Sequence, residues 1–158
     1  MTLSINVIAM IIAFVAVVAA VNWMLTAALN SVGVPVTQPL ETFLGWINAP
    51  FAWLLGIQWS DCQIAGGILG KRIVLNEFVA YLDVIAAKDK LSAHSITLIT
   101  YALCGFANFA SIAIQIGGIG SLAPERRADL ARLGWRSMIG GLLACYLTAA
   151  IVGLVLPN

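Results

Sequence analysis

Two short strings carry most of the polar chemistry of an otherwise apolar chain. Asn76-Glu77-Phe78 sets an amide beside a carboxylate, and Phe106-Ala107-Asn108-Phe109-Ala110-Ser111 sets an amide and a hydroxyl three residues apart. If a helix resumes at Asn108, residues three apart share a face, so Asn108 and Ser111 project together. A carboxylate accepts two O–H donors from a vicinal diol, and an amide both donates and accepts, so the set suits a small ligand rich in hydroxyls. Each residue also has a plainer reading. Glu77 could form an ion pair with Lys71 or Arg72 just upstream, stapling the local turn. Asn108 and Ser111 could make helix-to-helix hydrogen bonds, which contribute only about 0.6 kcal/mol each in membranes. Phe106 and Phe109, taken alone, read as core residues.

The elements that must position these groups are membrane elements. Of the 158 residues, 61% are hydrophobic and only 9% charged, against roughly 25% charged in soluble domains. No Lys or Arg occurs before Lys71, and residues 5 to 29 are predominantly apolar, enough to cross a hydrocarbon core of about 30 Å. A cleavable signal would need a basic start and a shorter apolar core. Asn6, Asn22 and Thr26 interrupt this span and are expected to face other helices. A carboxylate inside such a chain is costly and usually functional, which favours a ligand or ion role for Glu77.

The net charge of +1 leaves no electrostatic footprint for nucleic acid. Cys62, Cys104 and Cys145 are widely spaced in apolar context and read as small packing residues, with no metal-ligand spacing among them. The one histidine, His94, falls in the polar stretch KDKLSAHS and reads as a surface residue of a connector. A serine hydrolase using Ser111 and His94 is disfavoured, since no oxyanion or metal motif accompanies them. The glycines of GGIG (Gly117, Gly118, Gly120) and Gly134, Gly140 and Gly141 read as close helix packing; a phosphate loop would need a preceding strand and a following Lys-Ser/Thr.

Apolar segments run over 5–29, 39–58, 62–86, 95–122 and 136–156, and several are not simple spans. The second, read with Trp59 just after it, carries Pro39, Pro50, Glu41, Asn48 and three Trp, which suits helices at the bilayer interface. The third contains Lys71, Arg72 and Glu77, and three charges at mid-membrane, each costing about 2.5–3.5 kcal/mol on insertion scales, argue for a re-entrant hairpin with a protected tip. Gly66, Gly67 and Gly70 fit close approach and turning there. The fourth contains Asn108 and Ser111 beside Gly105, which suggests a helix that unwinds locally. Arg126, Arg127, Arg132 and Arg136 make the connector before the fifth cytoplasmic. The first helix then begins inside, the hairpin enters from the outer face with Lys88 and Lys90 on that side, and Pro157 and Asn158 end outside.

Gly70 to Tyr81, GKRIVLNEFVAY, resembles the signature of the concentrative nucleoside transporters, in which Lys is usual where Arg72 stands here. Cys104 to Gly134, CGFANFASIAIQIGGIGSLAPERRADLARLG, is similar to the C-terminal region of that family, and the two motifs occur in family order. The likeness spans essentially the whole chain, residues 40–156 being the most informative. Ala110 stands where many relatives have Ser.

This resemblance implies an all-α integral membrane fold: transmembrane helices plus a re-entrant helical hairpin and a discontinuous helix, one half of an inverted-repeat transporter. Along the chain, 1–35 would be a scaffold transmembrane helix, 36–60 interfacial helices and 61–90 the re-entrant hairpin. Residues 91–123 would form the discontinuous transmembrane helix, and 124–158 a cytoplasmic basic connector and the last transmembrane helix. Glu77, Asn108 and Ser111 would hold the ribose hydroxyls, Phe106 would lie near the nucleobase, and Asn76 would support the hairpin tip. The implied activity is cation-coupled nucleoside uptake across the cytoplasmic membrane by alternating access, without enzymatic chemistry or a cofactor. The coupling ion, Na+ or H+, would be bound mainly by a missing N-terminal half, and the full-length family implies a homotrimer. The alternative is a truncated, non-transporting membrane subunit with a structural or assembly role.

Overall fold

The computed structural model describes residues 2–156, the side chains of residues 2–4, 6, 7, 10 and 11 excepted. The side chain of Asn6, and Pro157 and Asn158, given a facing or a side of the membrane above, therefore lie outside what is described. Every described regular element is helical: α1 (Thr2–Ser31), α2 (Pro39–Leu54), α3 (Trp59–Val74), α4 (Glu77–Ala86), α5 (Ala93–Leu103), α6 (Phe109–Leu122) and α7 (Arg127–Val155), with short 3-10 turns at Lys88–Lys90 and Pro124–Arg126. Ile12–Ser31 and Pro124–Val155 are long and apolar enough to cross a membrane.

Glycine ends two of these helices by the same device. Gly33 and Gly56 are the described residues with positive φ, at +80° and +96°. After α1 the Val34 amide donates to the Leu29 carbonyl and Gly33 to Asn30; after α2, Ile57 donates to Ala52 and Gly56 to Trp53. These paired bonds form the Schellman motif, which satisfies carbonyls left free at a helix end and needs a left-handed residue that glycine supplies without strain. Pro39 opens α2, where its missing N–H would have no partner anyway. Where several helices were expected over 36–60, Pro39–Leu54 is one helix, running through Pro50.

α2 lies against α3 with backbone almost touching backbone. A Cβ on Gly66 would fall 2.5 Å from the Gly45 carbonyl oxygen, and one on Gly70 would fall 2.7 Å from the Gly45 amide nitrogen. Gly66 and Gly70 therefore serve approach and not turning: the chain reverses at Leu75 and Asn76, between α3 and α4. Lys71 and Asp83 join α3 to α4 with an ion pair of 2.7 Å. At the other end of α3, buried Asp61 accepts a 3.0 Å bond from the Ser92 amide, next to the start of α5.

The core is one apolar cluster drawn from α2 to α5 and α7, including Ala52, Leu69, Ala80, Leu98, Leu103 and Tyr146. Tyr146 also donates to the Asn48 side chain of α2, closing the cluster with a buried polar link. α6 packs on α7 and α1; a Cβ on Gly134 would meet Ile112 of α6 at 2.6 Å, whereas Gly140 faces open space. Close packing is thus the role of Gly134 and not of Gly140. His94 sits half-buried in the first turn of α5 and not in a connector. Asn22 of α1 donates to both oxygens of the buried Glu41 carboxylate, at 3.0 and 2.8 Å, and accepts from the Leu40 amide at 3.1 Å. Thr26 is half-buried and lines a cavity with Asn22 and Glu41.

Candidate ligand site at two helix starts

The two polar strings both begin helices. Asn76 caps α4 by accepting the Val79 amide at 2.9 Å, and Glu77 is the first residue of that helix. Asn108 caps α6 by accepting the Ser111 amide at 2.7 Å, while the Ser111 hydroxyl lies 3.3 Å from the Asn108 amide and donates to its carbonyl at 2.6 Å. This reciprocal arrangement is a capping box with serine in the place usual for Glu or Gln. Across the gap the Asn108 amide donates to the Glu77 carboxylate at 3.1 Å.

The electrostatics suit an anion at this point. Each helix start carries about half a positive charge from its unpaired amides, and the Glu77 carboxylate begins one helix while it bonds the cap of the other. The ion pair that Glu77 could have made does not form. Lys71 is held by Asp83, and Arg72 donates to the Gly105 carbonyl at 3.0 Å. A carboxylate has about four acceptor sites, and Asn108 is the side-chain partner of Glu77 among the described residues.

The structure brings Glu77, Asn108 and Ser111 together, with Asn76 at the neighbouring tip. Asn108 and Ser111 do share a side of the helix, but they are bonded to each other and both buried. Phe106 is not a core residue: it is 79% exposed, and it lines a groove of about 390 Å³ together with Ser111, Ile112, Gln115, Leu133 and Met138. Phe109 is also exposed. Of the cysteines, Cys62 and Cys145 are buried as packing residues should be, while Cys104 is exposed in the segment between α5 and α6.

Three neighbours of the site were given no part in it from sequence. Tyr81 donates to the Thr100 carbonyl at 3.0 Å and lies 3.4 Å from the Cys104 sulfur; its spacing of four from Glu77 was the available signal. Gly105 has no Cβ, and one placed there would fall 2.6 Å from the Cys145 sulfur. Cys145 approaches Arg72 Nη2 at 3.1 Å, a contact that nothing local in the sequence announces.

Residues 1–153 match the family model described as Na+ dependent nucleoside transporter C-terminus. This chain belongs to the concentrative nucleoside transporter family. Uncharacterized transporter YutK of Bacillus subtilis (strain 168) is 45% identical over 152 residues, covering 96% of this chain and 37% of that protein. Sodium/nucleoside cotransporter 1 of Rattus norvegicus is 36% identical over 168 residues, covering 95% of this chain and 25% of its own length. A solved structure of a CNTnw variant in an intermediate 2 state superposes with a TM-score of 0.89 at 40% identity, over 98% of this chain and 39% of that one. The chain therefore spans well under half the length of the transporters it matches. Its relatives are membrane transporters and not enzymes, in keeping with the Ser111 hydroxyl being occupied by its own helix cap.

Proposed function

We propose that this chain is the ribose-binding, C-terminal part of a cation-coupled nucleoside symporter of the cytoplasmic membrane. The observation that carries the reading is the Glu77 carboxylate bonded to Asn108 between two helix starts. Carboxylate and amide in contact offer a vicinal diol two acceptors and a donor, and a ribose would replace or bridge the existing bond. In this reading α3 and α4 form a re-entrant hairpin and α5 and α6 a discontinuous transmembrane helix, the arrangement by which transporters expose helix ends at the bilayer midplane. Phe106, exposed beside the groove, would lie near the nucleobase; Ser111 would act on the ribose through or beside Asn108, and Asn76 would hold the tip.

The chain would alternate access with an N-terminal portion that supplies the facing hairpin and most of the cation site, within a multi-pass homotrimer. The sodium named in the matching family and in the rat relative favours Na+ as the coupling ion, with H+ the other candidate. The test is radiolabelled uridine uptake in proteoliposomes containing the chain with its N-terminal portion, under an imposed Na+ or H+ gradient. Uptake under one gradient and not the other identifies the ion. Glu77→Gln keeps the shape but removes the charge that strengthens the hydrogen bonds, so uridine KM should rise roughly 10- to 100-fold, the scale of one charge-assisted bond. Uptake that ignores this substitution would refute the ribose role, and no uptake from folded, complete protein would favour the assembly role.

A further inference from the structure

Arg72 is a fully buried cation with no carboxylate partner among the described residues. Its Nη2 donates to the Gly105 carbonyl and lies 3.1 Å from the Cys145 sulfur, while Nε and Nη1 have no hydrogen-bond partner among the described residues. For stability alone this is a poor arrangement. A buried charge with unmatched donors is costly, and an apolar side chain of similar volume often does as well or better.

The position of the guanidinium gives it another use. Gly105 belongs to the five residues between the end of α5 at Leu103 and the start of α6 at Phe109. The last carbonyls of a helix carry a partial negative charge, which a cation stabilises, as its first amides stabilise an anion. The break therefore has Arg72 bonded to Gly105, two residues past the end of α5, and Glu77 bonded to Asn108, the cap of α6, one charge on each side. Glycine at 105 lets this segment lie against Cys145, whose sulfur a Cβ there would meet at 2.6 Å and which is itself 3.1 Å from Arg72 Nη2. Cys145 of α7 closes the other side by donating to the Cys104 carbonyl at 3.5 Å.

We propose that Arg72 is a positioning residue of the nucleoside site: by holding the Gly105 carbonyl it keeps the α5–α6 break open and sets Asn108 where it meets Glu77. Arg72 does not touch the ligand; it acts through the segment that ends in Asn108. The planar fork of arginine reaches the carbonyl and the sulfur from one nitrogen while staying charged, which a lysine ammonium does with less fixed geometry.

The proposal rests on the nucleoside reading above, so its test has one readout that depends on transport and one that does not. In the complete transporter, Arg72→Met should raise uridine KM about tenfold with the maximal rate within about twofold, the scale of one lost hydrogen bond to a charged group. Arg72→Lys should recover most of that loss. By hydrogen exchange on the membrane-embedded chain, Arg72→Met should speed exchange of the amides from Gly105 to Ser111 while those of α3 and α7 keep their protection, because the opening is local. Unchanged KM together with unchanged exchange would overturn the proposal. So would a uniform loss of protection, which marks a role in general stability. If the unsubstituted transporter carries no nucleoside, the functional reading falls while the exchange comparison still decides what Arg72 does to the break. If Arg72→Met fails to insert, Arg72→Gln takes its place: KM and exchange both unchanged would overturn the proposal, and a raised KM with faster exchange confined to Gly105 to Ser111 would support it.

Discussion

Asn108 uses its two ends for different work: the oxygen caps α6 and the nitrogen holds Glu77. Serine is as good an N-cap as asparagine but has no amide to reach across the gap. Asn108→Ser should therefore keep the unfolding midpoint in detergent close to the parent while uridine affinity falls. Asn108→Ala should lose affinity and, in addition, about 1 kcal/mol of stability from the missing cap. A Ser variant that binds uridine normally would show that the nitrogen is dispensable. The types and spacing of Glu77, Asn108 and Ser111 mark them out in the sequence. The inward turn of the Ser111 hydroxyl is not legible there, because the i, i+3 spacing that puts two side chains on one face is also the spacing of a capping box. Nor is the partner of Arg72 legible, since Gly105 and Cys145 lie 33 and 73 residues away along the chain.

Among the elements, the seam between α2 and α3 separates glycines that sequence alone treats alike. Gly66 has the Gly45 carbonyl and the Ala49 amide within 2.8 Å of where a Cβ would be, whereas nothing lies within 4 Å of a Cβ on neighbouring Gly67. Gly66→Ala should lower stability by about 1–3 kcal/mol through forced backbone shifts. Gly67→Ala should raise it by roughly 0.5–1 kcal/mol, the usual gain from replacing glycine inside a helix. Thermal unfolding followed by circular dichroism distinguishes the two, and equal effects would mean the helices are not in backbone contact. The helices and the interruption before Asn108 can be read from hydropathy and from misplaced polar residues. The function of Gly66 and Gly70 cannot, because a small residue permits either a turn or a close approach and only the facing backbone of α2 decides between them. The same holds for the two prolines of α2: Pro39 starts the helix, but Pro50 continues it, where a reading of several short helices was equally natural.

At the scale of the molecule, most described side chains of α1 are exposed, among them Ile12, Trp23 and Met24, and the chain spans 37% of YutK and 39% of the CNTnw chain it matches. Exposed apolar surface on this scale is covered by lipid or by protein. The chain expressed alone should remain in the membrane fraction after carbonate washing yet carry uridine no faster than empty liposomes; uptake above that background would show that the site works without further chain. The membrane character of the protein was legible from composition alone. The face that α1 turns to the rest of the protein was not, because its apolar residues encircle the helix and mark no face. One polar residue marks it instead. Every described hydrogen bond between an α1 side chain and the rest of the protein passes through Asn22, which grips Glu41 and Leu40. On an apolar helix that otherwise packs chiefly against α6, Asn22 is the directional contact that sets rotation about its own axis and height. Where lipid covers them, the apolar residues on the exposed faces of α1 should then be freely shuffled among themselves, provided that Asn22 stays where it is.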